Sequence, residues 1–230
     1  MKYLFAFLAG VVLGTAVVLF GVYLNPLARY NEGPPLDPST EVFYRTVTDT
    51  LLRASSPDDP LASVPDTIAG LWAPTLASTE VRLLALQGED GAASGLGVRF
   101  ATLSEATRPL TGALLVNSVW NIHLNDRGSL FVDATDNLWP FARGVLLPAW
   151  RADDRRWQGR FSDALTVGPG AAGTGVATGS SGEFAGVRGE ARETLAVDSL
   201  SLGDRRLQAL GMLQIAAGAP AIADRRGVTP

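Results

Sequence analysis

The one histidine of the chain is the first residue whose type suggests acid–base chemistry. His123 lies two residues after Asn121 and three before Asp126, on a segment that alternates apolar and polar residues. An imidazole acts as a general base when a neighbouring group orients it and a nucleophile or substrate lies within reach. The residues around His123 do not supply both. We therefore predict a hydrogen-bonded or half-exposed position on a strand, with a place in a pocket or interface as the alternative.

Carboxylates are the second group that could do chemistry. Asp133 and Asp136 are three residues apart, and Asn137 and Glu105 could join them around a carboxylate pair. The run Asp-Ala-Thr-Asp-Asn lacks the alternating acidic spacing of a calcium loop, and turn formation explains it better. The chain has no Cys and a single His, which excludes disulfides, thiolate ligands and His-rich metal centres. We therefore predict no catalytic residue, no metal and no cofactor.

Glycines between residues 168 and 179 suggest a phosphate-binding loop at first inspection. A P-loop ends in Gly-Lys-Ser/Thr, but Lys2 is the only lysine of the chain. A dinucleotide fingerprint needs a strand before it and a helix after it, whereas further turn residues follow here from Ser180. We interpret these glycines as turn and bulge positions of a β structure.

Four of the five tryptophans lie within one stretch of the chain. They are Trp120, Trp139, Trp150 and Trp157. Tryptophan combines a large apolar ring with one polar N–H, so it is typical of ligand pockets, protein interfaces and membrane surfaces. The alternative is that these rings fill the core of a small barrel. The pocket hypothesis uses Trp120, Trp139 and Trp150.

Strands must position these side chains. From residue 79 onward, apolar and β-branched runs are separated by Gly, Asp, Asn and Pro. Alternate residues from Val116 to Leu124 share one face, and those from Asn117 to His123 share the other. The tetrapeptide at 125–128, Asn-Asp-Arg-Gly, predicts a hairpin turn. The predicted strands cover residues 79–87, 95–103, 112–124, 129–135, 143–150, 156–167, 172–179, 184–188, 190–199 and 206–216.

This succession of strands with short connections predicts a mainly β fold. An antiparallel eight-stranded barrel is the first interpretation, and a β-sandwich is the alternative. The barrel is preceded by one N-terminal transmembrane helix and one or two short helices. In a barrel, one face of each strand lines the interior and the other faces outward.

A run of glycines around one phenylalanine marks the segment 178–192. Its members are Gly179, Gly182, Phe184, Gly186 and Gly189. The run resembles the glycine-rich turn between late strands of allene oxide cyclase-like and dirigent-like barrels. The resemblance covers about residues 110–197 and implies an eight-stranded barrel able to hold an apolar ligand. No catalytic residue of that family maps onto this chain, so the resemblance implies no activity.

The chain begins with an uncharged apolar run of 22 residues from Tyr3 to Leu24. As a helix this run spans roughly 33 Å, which is enough for a bilayer core. It is longer than a signal-peptide core and no small-x-small cleavage site follows, so we predict a retained anchor. Ala6, Gly10 and Gly14 form a small-residue face, which predicts contact with a partner helix. The alternative is that glycine is simply common in membrane helices.

Charge around the anchor predicts its orientation. Lys2 precedes the helix and Arg29 follows it together with two acidic residues, which favours a cytoplasmic N-terminus. One lysine against 18 arginines is typical of a GC-rich bacterial genome. We therefore expect an inner-membrane, single-pass protein with its large domain in the periplasm. The predicted units are an anchor at 1–24, an extended tether at 25–40, a short helical region at 41–75 (helices near 39–54 and 64–72), a barrel domain at 76–217 and a flexible tail at 218–230.

Composition narrows the function. A formal net charge of −4 argues against nucleic-acid binding. The first hypothesis is a non-catalytic accessory or scaffold subunit of an inner-membrane complex, for example a respiratory or photosynthetic one. Its predicted partners are the lipid bilayer and an integral membrane protein. The alternatives are a barrel that binds an apolar ligand such as a lipid, isoprenoid or pigment, and a cyclase- or isomerase-like enzyme that uses His123 or an Asp.

Overall fold

The computed structural model describes residues 2–24, 39–46, 79–170, 172–204 and 206–217. These residues form one long N-terminal helix, ten strands, one further helical segment and two 3₁₀ helices. The predicted tether up to residue 38, the second short helix and the tail fall on residues outside this set, while the last tether residue, Thr40, begins a strand.

Eight of the ten strands close into an antiparallel barrel. Their order around the ring is β10-β1-β2-β3-β4-β5-β8-β9, and β9 pairs with β10 to close it. The other two strands are additions, since β6 pairs with β9 and β7 with β5. The closed barrel confirms the first interpretation over the sandwich. The strand bounds are β1 Thr40–Thr46, β2 Glu80–Gln87, β3 Ala93–Leu103, β4 Leu115–Leu124, β5 Gly128–Asn137, β6 Arg156–Ala164, β7 Thr166–Gly168, β8 Gly175–Gly179, β9 Arg188–Ser201 and β10 Arg206–Ala217.

The alternation along β4 shows why these residues form a barrel wall. Ser118, Trp120, Ile122 and Leu124 are buried inside, while His123 and the residues that alternate with them are exposed. Successive side chains of a strand point to opposite faces, so one wall is both core and surface. The two faces predicted for this strand are confirmed.

The β4–β5 hairpin sits at the end of the barrel that apolar side chains fill. Its turn carries Asp126 at φ 58° and Gly128 at φ 118°, both in the left-handed region. Asn, Asp and Gly tolerate that region at low cost. The hairpin predicted for 125–128 is therefore confirmed, and it sets the register in which Ile122 lies opposite Leu130.

The segment 143–150 was predicted as a strand and is a helix. Residues 139–151, called α2 here, are α-helical at Trp139–Phe141, π-helical at Ala142–Leu146 and α-helical at Leu147–Arg151. Its inward residues are Val145 and Ala149, one turn apart, and they pack against Val197 and Leu200 of β9 and Ala209 of β10. Continuous apolar runs do not distinguish strand from buried helix, and here the four-residue spacing decides.

Two further predictions are corrected by the sheet. The predicted helix at 39–54 is wrong where it is described, because Thr40–Thr46 is strand β1, paired with β10 along its whole length. Pairing with a strand about 170 residues away overrides the local helical spacing. The strand predicted at 184–188 is instead a turn that follows a 3₁₀ helix, Gly182–Phe184. Another 3₁₀ turn, Pro109–Thr111, joins β3 to β4.

The N-terminal helix α1, Lys2–Leu24, is exposed along its described side chains. Its segment Lys2–Gly21 has a mean hydropathy of 2.4 and is long and apolar enough to cross a membrane. A signal sequence near the N-terminus can meet the same criterion of length and hydropathy. Nothing lies within 4 Å of a methyl group placed on Gly10 or Gly14, so their contact with a partner helix stays a prediction.

Candidate functional site

A layer of charged side chains crosses the interior of the barrel. Arg99 on β3, Asp136 on β5 and Glu193 on β9 are 8%, 0% and 2% exposed. Charged side chains are rarely buried this far unless they are paired with one another. Tyr44 of β1 and Ser118 of β4 complete the layer with hydroxyl groups.

Asp136 is the most completely bonded member of this charged layer. Its Oδ2 accepts hydrogen bonds from Arg99 Nη2 at 2.8 Å and from Ser118 Oγ at 2.7 Å. Its Oδ1 accepts a bond of 3.1 Å from Thr166 Oγ1, which in turn accepts one of 2.9 Å from the backbone N–H of Glu193. A carboxylate with three donors is held in one orientation, and it holds Arg99 in place.

Glu193 accepts from two aromatic residues. Tyr44 Oη donates a short hydrogen bond to Oε1, and Trp120 Nε1 donates one of 3.2 Å to Oε2. Arg99 Nε lies 3.5 Å from Oε2, which makes an ion pair. That contact does not meet hydrogen-bond geometry, and Arg99 Nε is buried without a hydrogen-bond partner in the described part of the chain.

Burial and charge shift the proton affinities of the layer. Burial raises the pKa of Glu193 above its ordinary value of 4.5; the charge of Arg99 opposes this rise and that of Asp136 adds to it. Burial, followed by the charge of Glu193, also raises the pKa of Tyr44 well above 10.0. Burial acts to lower the pKa of Arg99, but the carboxylates of Glu193 and Asp136 raise it overall. Glu193, whose pKa burial raises, is therefore the group of this layer best suited to hold and release a proton.

Two glycines make room for the aromatic rings around Glu193. Gly211 of β10 lies opposite Tyr44 in the sheet, and a methyl group there would overlap the Tyr44 ring. A methyl group on Gly97 of β3 would lie 3.3 Å from the ring of Trp120. The two rings pack together with centroids 5.1 Å apart. Gly211 and Gly97 thus leave the space in which Tyr44 Oη and Trp120 Nε1 can donate hydrogen bonds to Glu193.

A cavity of about 230 Å³ opens above the charged layer. Its polar lining consists of Tyr44, Arg99 and Glu193, together with Glu80 and Arg82, whose side chains form a 2.7 Å ion pair. The other nine lining residues are apolar: Leu84, Ala101, Leu103, Val116, Leu138, Phe141, Leu165, Leu195 and Leu207. An apolar cavity with a few convergent polar groups is the usual form of a small-molecule site.

The residues predicted for a pocket or interface are not brought together in this cavity. Trp120 is fully buried beside Glu193, Trp139 and Trp157 are half-buried, and Trp150 is 64% exposed. His123 lies on the outer face, where its Nδ1 is 2.9 Å from Ser129 Oγ. As the described residues define it, the cavity is lined by none of these five. A role for them in an interface stays a prediction.

The sequence interpretation missed three residues of the charged layer, and it considered the fourth, Asp136, only as half of a carboxylate pair with Asp133. Tyr44 was placed in a helix, Glu193 lies in a polar run without alternation, and Asp136 was assigned to a turn although it lies in strand β5. Only Arg99 could have been recognised from the local sequence. It alternates with exposed positions in step with Gly97 and Ala101, which places its side chain on the inward face of the strand. Among the described residues, no group of three or more His, Asp or Glu side chains is arranged to hold a metal.

No protein-family model matches the chain, and no curated protein matches its sequence. Solved structures do resemble its fold. The Diels-Alderase AbmU from Streptomyces koyangensis is 8% identical, with a TM-score of 0.36 over 80% of this chain and 70% of that chain. A nonspecific heme-binding cyclase that catalyses a cycloaddition during neoabyssomicin biosynthesis is 9% identical, with a TM-score of 0.36 over 84% and 70%.

These neighbours disagree with the leading functional hypothesis. Both are described as cyclases, which is contrary to the predictions of a non-catalytic accessory subunit and of a chain that is not an enzyme. The predicted resemblance to a barrel family is supported only at the level of the barrel fold that these neighbours share. No match supports allene oxide cyclase or dirigent proteins themselves. At this identity and TM-score neither neighbour transfers a residue role or a substrate to this chain.

Proposed function

We propose that the barrel is a cyclase- or isomerase-type enzyme acting on a compact, largely apolar substrate. The observation that supports this proposal is the position of Glu193, hydrogen-bonded to Tyr44, at the polar side of an apolar cavity. A carboxyl group with a raised pKa in an apolar site is suited to general acid–base catalysis.

The size of the cavity limits the substrate. Its volume is about 230 Å³. An engineered protein cavity of about 150 Å³ holds one benzene molecule, so this one has room for roughly ten non-hydrogen atoms. The apolar walls desolvate such a molecule, and a larger substrate would extend past Glu80 and Arg82.

The reaction class follows from an acid that both gives and takes back one proton. Glu193 transfers its proton to a substrate oxygen, which makes the attached carbon electrophilic. The π-electron pairs of substrate C=C bonds then form the new C–C bonds, and the oxygen returns the proton to Glu193. The product has the same atoms as the substrate, and neither oxidant nor reductant is consumed.

An unchanged mass makes this proposal testable without knowing the substrate. The full-length protein in lipid nanodiscs is incubated with a metabolite extract of its source organism, and the extract is analysed by liquid chromatography and mass spectrometry. We expect one compound to decrease while another of identical mass increases. Glu193→Gln abolishes this change, because the amide has no proton of suitable acidity to transfer. Glu183→Gln, which changes an exposed carboxylate outside the cavity, is the matched control and retains it. A wild-type protein that interconverts no pair of equal mass contradicts the proposal.

A second candidate function is a carrier of an apolar ligand. Nine of the fourteen lining residues are apolar, which supports binding irrespective of turnover. Native mass spectrometry of the purified full-length protein distinguishes the two. A carrier retains a ligand of one mass that is released unchanged, and Glu193→Gln does not alter what is released.

We further propose that α1 is a retained anchor in a bacterial inner membrane, with the barrel in the periplasm. Lys2 before the helix and the length of the apolar run support this orientation. Protease added to spheroplasts that express a C-terminally tagged chain should degrade the barrel. A tag that stays protected contradicts the orientation. A chain found in the soluble periplasmic fraction without its first 24 residues contradicts the anchor.

A further inference from the structure

Arg99 has hydrogen-bonding capacity that no described residue uses. Its Nη2 donates to Asp136, and this is its one hydrogen bond to a described residue. Its Nε is buried without a hydrogen-bond partner, and the side chain is only 10% exposed. A guanidinium has five N–H donors, and leaving buried donors unpaired is costly. Such an unsatisfied group in a native structure usually has a functional reason.

The position of Arg99 indicates what that reason is. The residue lines the cavity next to Glu193, so a molecule in the cavity meets its guanidinium. Glu193 does not satisfy the guanidinium itself, because their 3.5 Å contact is an ion pair without a hydrogen bond. The two acceptors of Glu193 are occupied by Tyr44 and Trp120 instead.

The charges of the layer leave one place for an anion. Asp136 balances the charge of Arg99 through their 2.8 Å bond. When Glu193 carries its proton the layer has no net charge, yet Arg99 still has donors that no described residue accepts from. An oxygen anion can use those donors in a site that water reaches poorly, where charge-assisted hydrogen bonds are strong.

We propose that Arg99 binds an anionic oxygen group of the ligand, a carboxylate or an enolate, while the apolar body of the ligand fills the cavity. This inference rests on the proposed function and specifies its substrate class. Asp136 is a positioning residue in this arrangement. Held in place by Ser118 and Thr166, Asp136 fixes Nη2 and leaves Nη1, from which no described residue accepts a hydrogen bond, for the ligand.

The test uses small ligands matched in size that differ in charge. Full-length protein in lipid nanodiscs is titrated with para-fluorobenzoate, para-fluorobenzyl alcohol and para-fluorobenzylamine, and binding is followed by fluorine NMR at about pH 6, where a benzoate is ionised. We expect the acid to bind at least about tenfold more tightly than the alcohol, and the amine to bind most weakly. Acid and alcohol of equal affinity overturn the proposal.

Variants assign the preference to Arg99. In Arg99→Gln the acid should bind no better than the alcohol, while the affinity for the alcohol changes less than about threefold because the apolar walls remain. Arg156→Gln is the control, since Arg156 does not line the cavity and pairs with Asp204 at the surface. It should keep the preference. An unchanged preference in Arg99→Gln, or its loss in Arg156→Gln, contradicts the assignment.

A measurement on the wild-type protein covers the case in which Arg99→Gln does not fold. In the wild-type protein, the affinity for para-fluorobenzoate should fall as the pH rises through the pKa of Glu193, because an ionised carboxyl group beside the site repels the anion, while the affinity for the alcohol stays nearly constant. An acid affinity that does not fall relative to that of the alcohol contradicts the arrangement. If the alcohol binds and the acid does not, the inference fails and the cavity of the proposed function stands. If none of the three ligands binds, both fail.

Discussion

The two ends of the barrel interior are built from the same strands for different purposes. At the hairpin end, Ile122 and Leu130 belong to a continuous apolar core and are at most 2% exposed. At the cavity end, the inward positions carry Arg99, Asp136 and Glu193. Buried charges are often no more stabilising than apolar residues of the same volume. The comparison suggests that the hairpin end stabilises the fold, and that the cavity end is retained for its chemistry.

The largest expected effect is at the hairpin end. Ile122→Ala removes a fully buried side chain from close packing and should lower the free energy of unfolding by about 2–5 kcal/mol. Denaturant unfolding of the full-length protein measures the loss. Val119→Ala, on the same strand but 43% exposed, is the control and should change stability by less than about 0.5 kcal/mol. Equal losses in the two variants contradict the division between core and surface.

The next effect tests how the cavity end is assembled. Gly211→Ala places a methyl group into the Tyr44 ring, so the ring must move away from Glu193. Overpacking of this kind costs about 1–3 kcal/mol, and we expect the proposed activity to fall as well. Gly203→Ala is the matched control, because nothing lies within 4 Å of its added methyl group. Full activity and stability in Gly211→Ala would show that the position of Tyr44 is unimportant.

A third prediction compares a buried carboxyl group with an exposed one by pH. Folding raises the pKa of Glu193 above 4.5, so between pH 4.5 and the raised pKa the folded state binds more protons than the unfolded state. The stabilisation from this group is therefore fully present below pH 4.5 and is lost as the pH rises through the raised pKa. The free energy of unfolding should fall there by at most about 1.4 kcal/mol per pH unit.

Glu193→Gln should remove this slope when unfolding is measured across the same pH range. Glu183→Gln should keep it, because the Glu183 side chain is 52% exposed and pairs with Arg127 at the surface. A slope that persists in Glu193→Gln would assign it to another group and remove the evidence that Glu193 holds a proton in the folded barrel.

The sequence predicted the wall of the barrel better than its contents. Strand β4 could be recognised because its inward and outward residues alternate from Val116 to Leu124, and the Asn-Asp-Arg-Gly hairpin follows it directly. Both signals are local. Helix α2 lacked such a signal, since its apolar run fits a strand or a buried helix equally well until its packing partners on β9 and β10 are known.

The charged layer depends on contacts between distant residues, which local patterns do not contain. Asp136 is explained by Arg99, 37 positions earlier, and by Thr166, 30 positions later. Tyr44 and Glu193 meet across 149 positions. A short polar run is typical of a turn, and only the barrel closure shows that Asp136 points inward. The site could therefore not be predicted before the register of the strands was known.

The smallest expected effect concerns an exposed carboxylate that is also hydrogen-bonded. Asp204 accepts a 2.8 Å hydrogen bond from Ser201 and pairs with Arg156 at 3.0 Å, and these contacts lower its pKa below 3.8. The stabilisation from Asp204 is present above pH 3.8 and is lost as the pH falls through the lowered pKa of this group. Because water and salt screen an exposed pair, Asp204→Asn should shift the unfolding temperature only slightly, and less still at high salt. A shift as large as that of Ile122→Ala, independent of salt, would mean that surface bonding stabilises this barrel as much as its core does.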